Sequence, residues 1–238
     1  MEKKEKLKKI NSLLIKQFGI PKRAKRLPNP VDLLIATILS QNTNDQNSFK
    51  AFKNLKDNYS NWEDVAKLPK KKLLKLIKVA GLGEQKSSAI NGFLNEQLSK
   101  RSKIDLDYLK KMPDEKIIKK LTAFKGIGLK TSACVLLFSM GRNVCPVDTH
   151  VHRTLNRIGI IKTKSPDKTF LEIQEFIPEK VAHSLHTNLI RLGREICKPQ
   201  NPLCGACPLE KVCNYPNKNL MPVANKTKNK DFMLLDSV

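Results

Sequence analysis

The last four of the six cysteines, Cys197, Cys204, Cys207 and Cys213, follow the pattern C-x6-C-x2-C-x5-C. Thiolates this close in sequence, with Pro199, Pro202, Gly205 and Pro208 bending the chain between and around them, can wrap one ion or cluster. The opening residues MEKKEKLKKI lack the apolar core of a secretory leader. A reducing, cytoplasmic setting is therefore expected, in which clustered cysteines bind metal rather than pair with one another. Spacing alone leaves zinc and iron-sulfur both open.

A second constellation lies in LTAFKGIGLKTSACVL, Leu121 to Leu136. Gly126-Ile127-Gly128 permits a sharp turn and close backbone approach to a ligand, with Ile127 as an anchor in the core. The amides opening the next helix suit a phosphate. Lys125 and Lys130 flank the turn. A lysine in this place contacts phosphate. Alternatively, held among other cations and partly desolvated, it acts as an amine nucleophile that forms a Schiff base with an aldehydic sugar carbon. The residues leave both roles open.

The third is CPVDTHVHR, in which Asp148 stands at the expected start of a helix. Its plain role is an N-cap. Capping also keeps a carboxylate ionised and aimed outward, as stabilisation of a developing sugar cation requires. His150 and His152 follow without a third ligand nearby, which suits structural or phosphate contacts better than a metal site.

These residues must be positioned by helices. Apolar residues recur at helical spacing over about 3–18, 31–39, 43–58, 61–67, 70–79, 84–99, 114–122, 128–140, 149–158, 167–176 and 179–195, while strand patterns are almost absent. Asn61 is expected to cap a helix start, and Gly141 and Gly159 to close helices. The segment PKRAKRLPNP, residues 21 to 30, reads as a basic linker. From Asn214 the sequence turns polar and lysine-rich, and a mobile basic tail is expected over 216–238.

The 238 residues suffice for one large domain or two lobes. Lysine and arginine number 45 against 22 acids, a net charge of +23, so an anionic polymer is the natural partner. No apolar run approaches the roughly 20 residues of a membrane span.

The chain resembles the endonuclease III family of helix-hairpin-helix DNA glycosylases. The likeness rests on the cysteine pattern, on KGIGLKTS at 125 to 132, on VDTHVHR at 147 to 153 and on LLIATILSQNTND at 33 to 45. It implies an all-α fold of two helical lobes with a cleft between them. One is a six-helix, barrel-like lobe over 32–142 carrying the hairpin; the other combines 1–31 with 143–215 and carries the cysteine loop. It further implies a bifunctional glycosylase and AP lyase of base excision repair, acting on double-stranded DNA with damaged bases, oxidised pyrimidines first, or abasic sites; one basic face and a single cleft need only a monomer. Lys130 would be the nucleophile, Asp148 the assisting carboxylate, and Cys197, Cys204, Cys207 and Cys213 the ligands of a 4Fe-4S cluster. The implied location is cytoplasmic and nucleoid-associated, or nuclear in a eukaryote.

DNA contacts are expected from Gln41, Asn42, Lys125, Gly126, Gly128, His150 and Lys198. Asn42 aligns with a glutamine that in the family helps fill the gap left by a flipped base, Lys125 replaces a usual proline, and Ser132 stands where alanine is common. Two alternatives compete: a monofunctional glycosylase, for alkylated purines for example, and a non-enzymatic iron-sulfur module that binds DNA or senses redox state.

Overall fold

The computed structural model describes residues 2–221, which are helical and contain no strand. The described residues divide into two compact units, one within Met1–Arg23 and Asn143–Lys230, the other Ala24–Arg142.

In the Ala24–Arg142 unit, helix α2 (Pro30–Leu39) is central. Every residue of PVDLLIATIL except Asp32 is buried, and a helix apolar around nearly its whole girth is stable only inside a core. Asn29 starts it by accepting from the amides of Val31 (2.8 Å) and Asp32 (3.4 Å), and Pro30 occupies the first turn where no amide is needed. Its one buried hydroxyl, Thr37, donates back to the Leu33 carbonyl at 2.7 Å. Around α2 pack α3 (Asp45–Asn58), α6 (Gly83–Arg101) and α8 (Leu129–Cys134). Short α4 (Trp62–Ala66), lysine-rich α5 (Lys70–Ile77) and α7 (Asp114–Thr122) complete the unit. On α5 and α7 only two residues each reach the core, Leu73 and Ile77, then Ile117 and Leu121, so their lysines face solvent.

In the other unit α1 (Lys3–Phe18) buries Leu7, Ile10 and Leu14 against α11 (Ala182–Glu195), which also packs on α9 (Thr149–Ile158). The last turn of α1 is tied down by α11: Arg191 donates to the Phe18 carbonyl at 2.7 Å and Asn188 to that of Gly19 at 3.1 Å. Helix α10 (Pro166–Ile173), capped by Ser165, closes the set.

Helix boundaries fall within a few residues of the sequence pattern. The helix expected from 43 begins at Asp45 because Asn44 caps it, accepting from Asn47 N at 2.8 Å. The one expected over 128–140 ends at Cys134 and continues as a π turn, Val135–Ser139, with Met140 N bonded to Val135 O at 3.2 Å. Asn61 caps α4, and Gly141 and Gly159 take positive φ of 70° and 78°. Of the tail expected to be mobile, residues 222–238 lie outside the described residues. Lys218 just before them bonds the Glu210 carbonyl at 2.8 Å, and Gly205 N bonds Asn219 O at 3.1 Å. No described helix is long and apolar enough to cross a membrane.

Candidate active site and metal centre

The turn between α7 and α8 is built by its glycines. Gly126 has φ of +87°, and a Cβ there would sit 2.6 Å from the Ala89 Cβ of α6, so backbone shape and space both demand glycine. Ile127 is buried while Lys125, Gly126 and Gly128 are exposed, and Ile127 N closes the turn on Phe124 O at 3.1 Å. Gly128 leads into α8 in extended conformation, and no side chain caps the helix. Lys130 is the second residue of α8 and is half-buried. The loop after α2 meets this turn: Gln41 Nε2 donates to Gly126 O at 3.2 Å and lies 3.5 Å from Thr131 Oγ1. Asn42, exposed, takes a left-handed φ of 49°.

Asp148 caps α9, its Oδ1 accepting from Val151 N at 2.8 Å, and is half-buried. The stretch that delivers it, 144–147, is buried but makes no sheet or helix, so its polar backbone needs other partners. Gln174 accepts from Cys145 N and donates to Cys145 O, both at 3.0 Å. Fully buried His186 bonds the Pro146 carbonyl through Nδ1 at 2.9 Å. Asn143 bonds Pro178 O and Ala182 N at 2.9 and 3.1 Å.

His150 lies half-buried against Gly193, and Arg153 Nη2 approaches its Nδ1 at 3.2 Å. Burial, with Arg153 and Arg194 adding to it, lowers its pKa against the opposing pull of Asp148. His152 instead meets Thr169 Oγ1 at 2.6 Å and Asn156 Nδ2 at 3.1 Å, and burial lowers its pKa also. Its place is within the fold.

All four cysteines of the loop line one partly open recess, with a cavity volume of about 20 Å³, together with Ile196, Pro202, Leu203, Arg157 and the Lys218–Glu210 pair. None is in a disulfide. Among the described residues no three His, Cys, Asp or Glu side chains are drawn into a ready single-ion site. Burial pushes the Cys207 thiol up to about 12 and the Cys213 thiol upward, with Cys197 and Cys204 adding to both. A recess lined by four thiols favours soft, positively charged occupants that take thiolates. Arg157 braces it, donating to Cys197 Sγ (3.5 Å), Lys198 O (2.6 Å) and Pro199 O (2.8 Å) beneath the Tyr215 ring. Arg153 donates to Cys197 O at 3.0 Å, joining His150 to the loop. Lys198 is exposed.

The expected site residues thus form two groups. Gln41, Asn42, Lys125, Gly126, Gly128 and Lys130 belong to the Ala24–Arg142 unit, and Asp148, His150, Lys198 and the four cysteines to the other. Three residues escaped the sequence reading. Leu82, between Gly81 and Gly83, is a 44 % exposed leucine with left-handed φ of 48°. An apolar residue between two glycines was the available signal. Lys86 is buried, and Gln174 clasps Cys145; neither has a local sequence signature.

Residues 35–179 match the family described as "HhH-GPD superfamily base excision DNA repair protein". The chain is 35% identical to an endonuclease III of Thermotoga maritima, covering 90% of this chain and 96% of that protein. It is 32% identical to the endonuclease III of Rickettsia felis with the same coverage of each. Among solved structures, a non-covalent endonuclease III–DNA complex superposes with a TM-score of 0.74 at 27% identity, over 90% of this chain and 96% of that one. A trapped endonuclease III–DNA covalent intermediate gives the same score and identity, over 90% and 97%.

Proposed function

Because the chain belongs to the endonuclease III family, within the HhH-GPD superfamily of base excision DNA repair proteins, we propose that it is a bifunctional DNA glycosylase and AP lyase. Its partner is double-stranded DNA carrying damaged bases, oxidised pyrimidines foremost, or abasic sites. The damaged nucleotide is everted from the duplex, which costs a few kcal/mol and least at weakened pairs. The uncharged amine of Lys130 then attacks C1′, and the base leaves with the electron pair of the glycosidic bond and takes up a proton. Loss of a proton from nitrogen and opening of the sugar give a protonated Schiff base. Removal of a C2′ proton pushes electrons toward the imine and expels the 3′ phosphate.

Asp148 is the carboxylate that stabilises positive charge on the sugar and assists activation of the amine. What supports this is its fixed, ionisable presentation as the cap of α9. Lys125, the amides around Gly126 and Gly128, His150 and Lys198 serve the phosphate backbone. Gln41 and Asn42 fill the gap left by the everted base. Leu82, held exposed on a left-handed tip, acts as the apolar wedge such kinked complexes use.

Cys197, Cys204, Cys207 and Cys213 hold a 4Fe-4S cluster. The support for a cluster is the family to which the chain belongs, together with four unpaired thiols lining one recess. Those four cysteines would hold the cluster, whose contribution there would be to fix the loop's shape, separate from bond cleavage.

The observation that carries the reading is Lys130 itself, half-buried in the first turn of α8 directly after the glycine turn. Borohydride reduction on a duplex with a natural abasic site tests it. Wild-type protein should be captured covalently and Lys130→Ala should not. A wild type that gives no adduct removes the lyase assignment and favours a monofunctional enzyme or a non-enzymatic module. Capture of Lys130→Ala at the wild-type level moves the nucleophile elsewhere.

A further inference from the structure

Lys86 is 1% exposed, and it lies on a helix face where an apolar side chain would ordinarily sit. Its ammonium donates to the carbonyls of Leu39 and Ala80, each at 2.8 Å. Leu39 is the last residue of α2, and Ala80 ends a 3-10 turn, Lys78–Ala80. Such terminal carbonyls have lost their intrahelical partners and carry partial negative charge, so a cation between them satisfies both. Burial without an acidic partner pushes the lysine down to about 8. Removing the ammonium would leave both carbonyls without this donor, so the side chain ties the two chain ends to α6.

The two carbonyls mark the points where two loops leave the core. Immediately after Leu39 comes the loop bearing Gln41 and Asn42; immediately after Ala80 comes Gly81-Leu82-Gly83. One turn along α6, on the same face, Ala89 packs beneath Gly126, whose carbonyl in turn accepts from Gln41. A single turn of α6 thus sets the spacing of three loops: Lys86 joins the first two, and Gln41 joins the first to the third.

We propose that Lys86 is a positioning residue for lesion recognition, a staple that makes the Gln41–Asn42 loop and the Leu82 tip enter the duplex as one rigid pair. The inference rests on the DNA-inserting roles given above to those loops. It assigns Lys86 no contact with DNA.

Lys86→Met keeps the unbranched four-atom stem and removes the donors; Lys86→Gln is equally short but keeps N–H donors. Affinities would be measured by fluorescence anisotropy for a duplex containing a tetrahydrofuran abasic analogue and for the same duplex undamaged, well below each variant's melting temperature. For Lys86→Met the ratio of specific to non-specific affinity should fall about tenfold or more, the size expected from losing charge-assisted hydrogen bonds. Affinity for undamaged DNA and its salt slope should hold, and Lys86→Gln should recover part of the ratio. A folded Lys86→Met with the wild-type ratio overturns the proposal.

If the methionine variant does not fold, hydrogen exchange on wild-type protein decides. Amides of 40–44 and 81–83 should share one opening free energy and gain protection together on binding the analogue; separate openings overturn the staple. Leu82→Ala serves as the control for the underlying reading. An unchanged specificity ratio there would remove the wedge role, and with it the staple, whereas a lowered ratio beside an unaffected Lys86→Met would remove the staple alone.

Discussion

The carboxamide of Gln174 lies along the backbone of Cys145, receiving its N–H and donating to its carbonyl at 3.0 Å each. A single side chain thereby imitates a neighbouring strand for a buried residue three positions before Asp148. Gln174→Ala would leave both backbone groups of Cys145 without these partners, at about 1–3 kcal/mol for each unsatisfied buried group. Base excision under single turnover should slow with little change in substrate affinity, because the Asp148 carrier loosens while the lysines proposed to grip DNA stay. Urea melts read the first effect, and rapid-quench kinetics against a titrated KM read the second.

Gly126 and Gly128 should respond differently to alanine. At Gly126 the new methyl meets Ala89 at 2.6 Å on a backbone with φ of +87°, so Gly126→Ala should lose stability, by about 1–3 kcal/mol. At Gly128 no atom lies within 4 Å of an added Cβ, so Gly128→Ala should fold normally. Weakened DNA binding in that variant would show close phosphate approach. Thermal melts alongside gel-shift titrations separate the two.

Lys86 gives the fold a defined pH dependence. Its folded-state pKa, about 8, lies below the ordinary lysine value of 10.5, so the unfolded chain binds the extra proton between those values. The penalty is complete below pH 8 and is relieved as pH rises toward 10.5. Relative to Lys86→Met, wild-type stability should therefore increase across that window, by on the order of 3 kcal/mol. Denaturant melts of both proteins at pH 7.5, 9 and 10 would show it.

Cys207 lines the recess with its thiol pushed up to about 12, so a bound positive centre should be needed to hold it as thiolate. Cys207→Ser should be purified with much less iron and acid-labile sulfide and without brown colour. Metal analysis of the wild type should return about four irons per chain; one zinc instead would overturn the cluster.

Lys125 is exposed beside the glycine turn. If it neutralises one phosphate, Lys125→Ala should lower the slope of log affinity against log salt by about 1, equally for damaged and undamaged duplexes. An altered lesion preference with an unchanged slope would argue for a different contact.

Much of this molecule is written locally. The run Val31 to Leu39, apolar but for Asp32 and Thr37, reads as a core helix; Asn29, Asn44, Asn61 and Asp148 cap helices because their side-chain oxygens accept from backbone amides two or three residues on; and the cysteine pattern marks its loop. Each depends on interactions within a few residues, which order along the chain encodes directly. The sequence could not single out Lys86 among 45 lysines and arginines, because its distinction is burial between two carbonyls, one of them 47 positions away. Nor could it show that Gln174 stands in for a strand beside Cys145, 29 positions earlier, or that Leu82 stays exposed while Ile127, also flanked by glycines, is buried. Those outcomes depend on which surfaces meet once helices pack, a matter of tertiary geometry that residue identity and spacing leave undetermined.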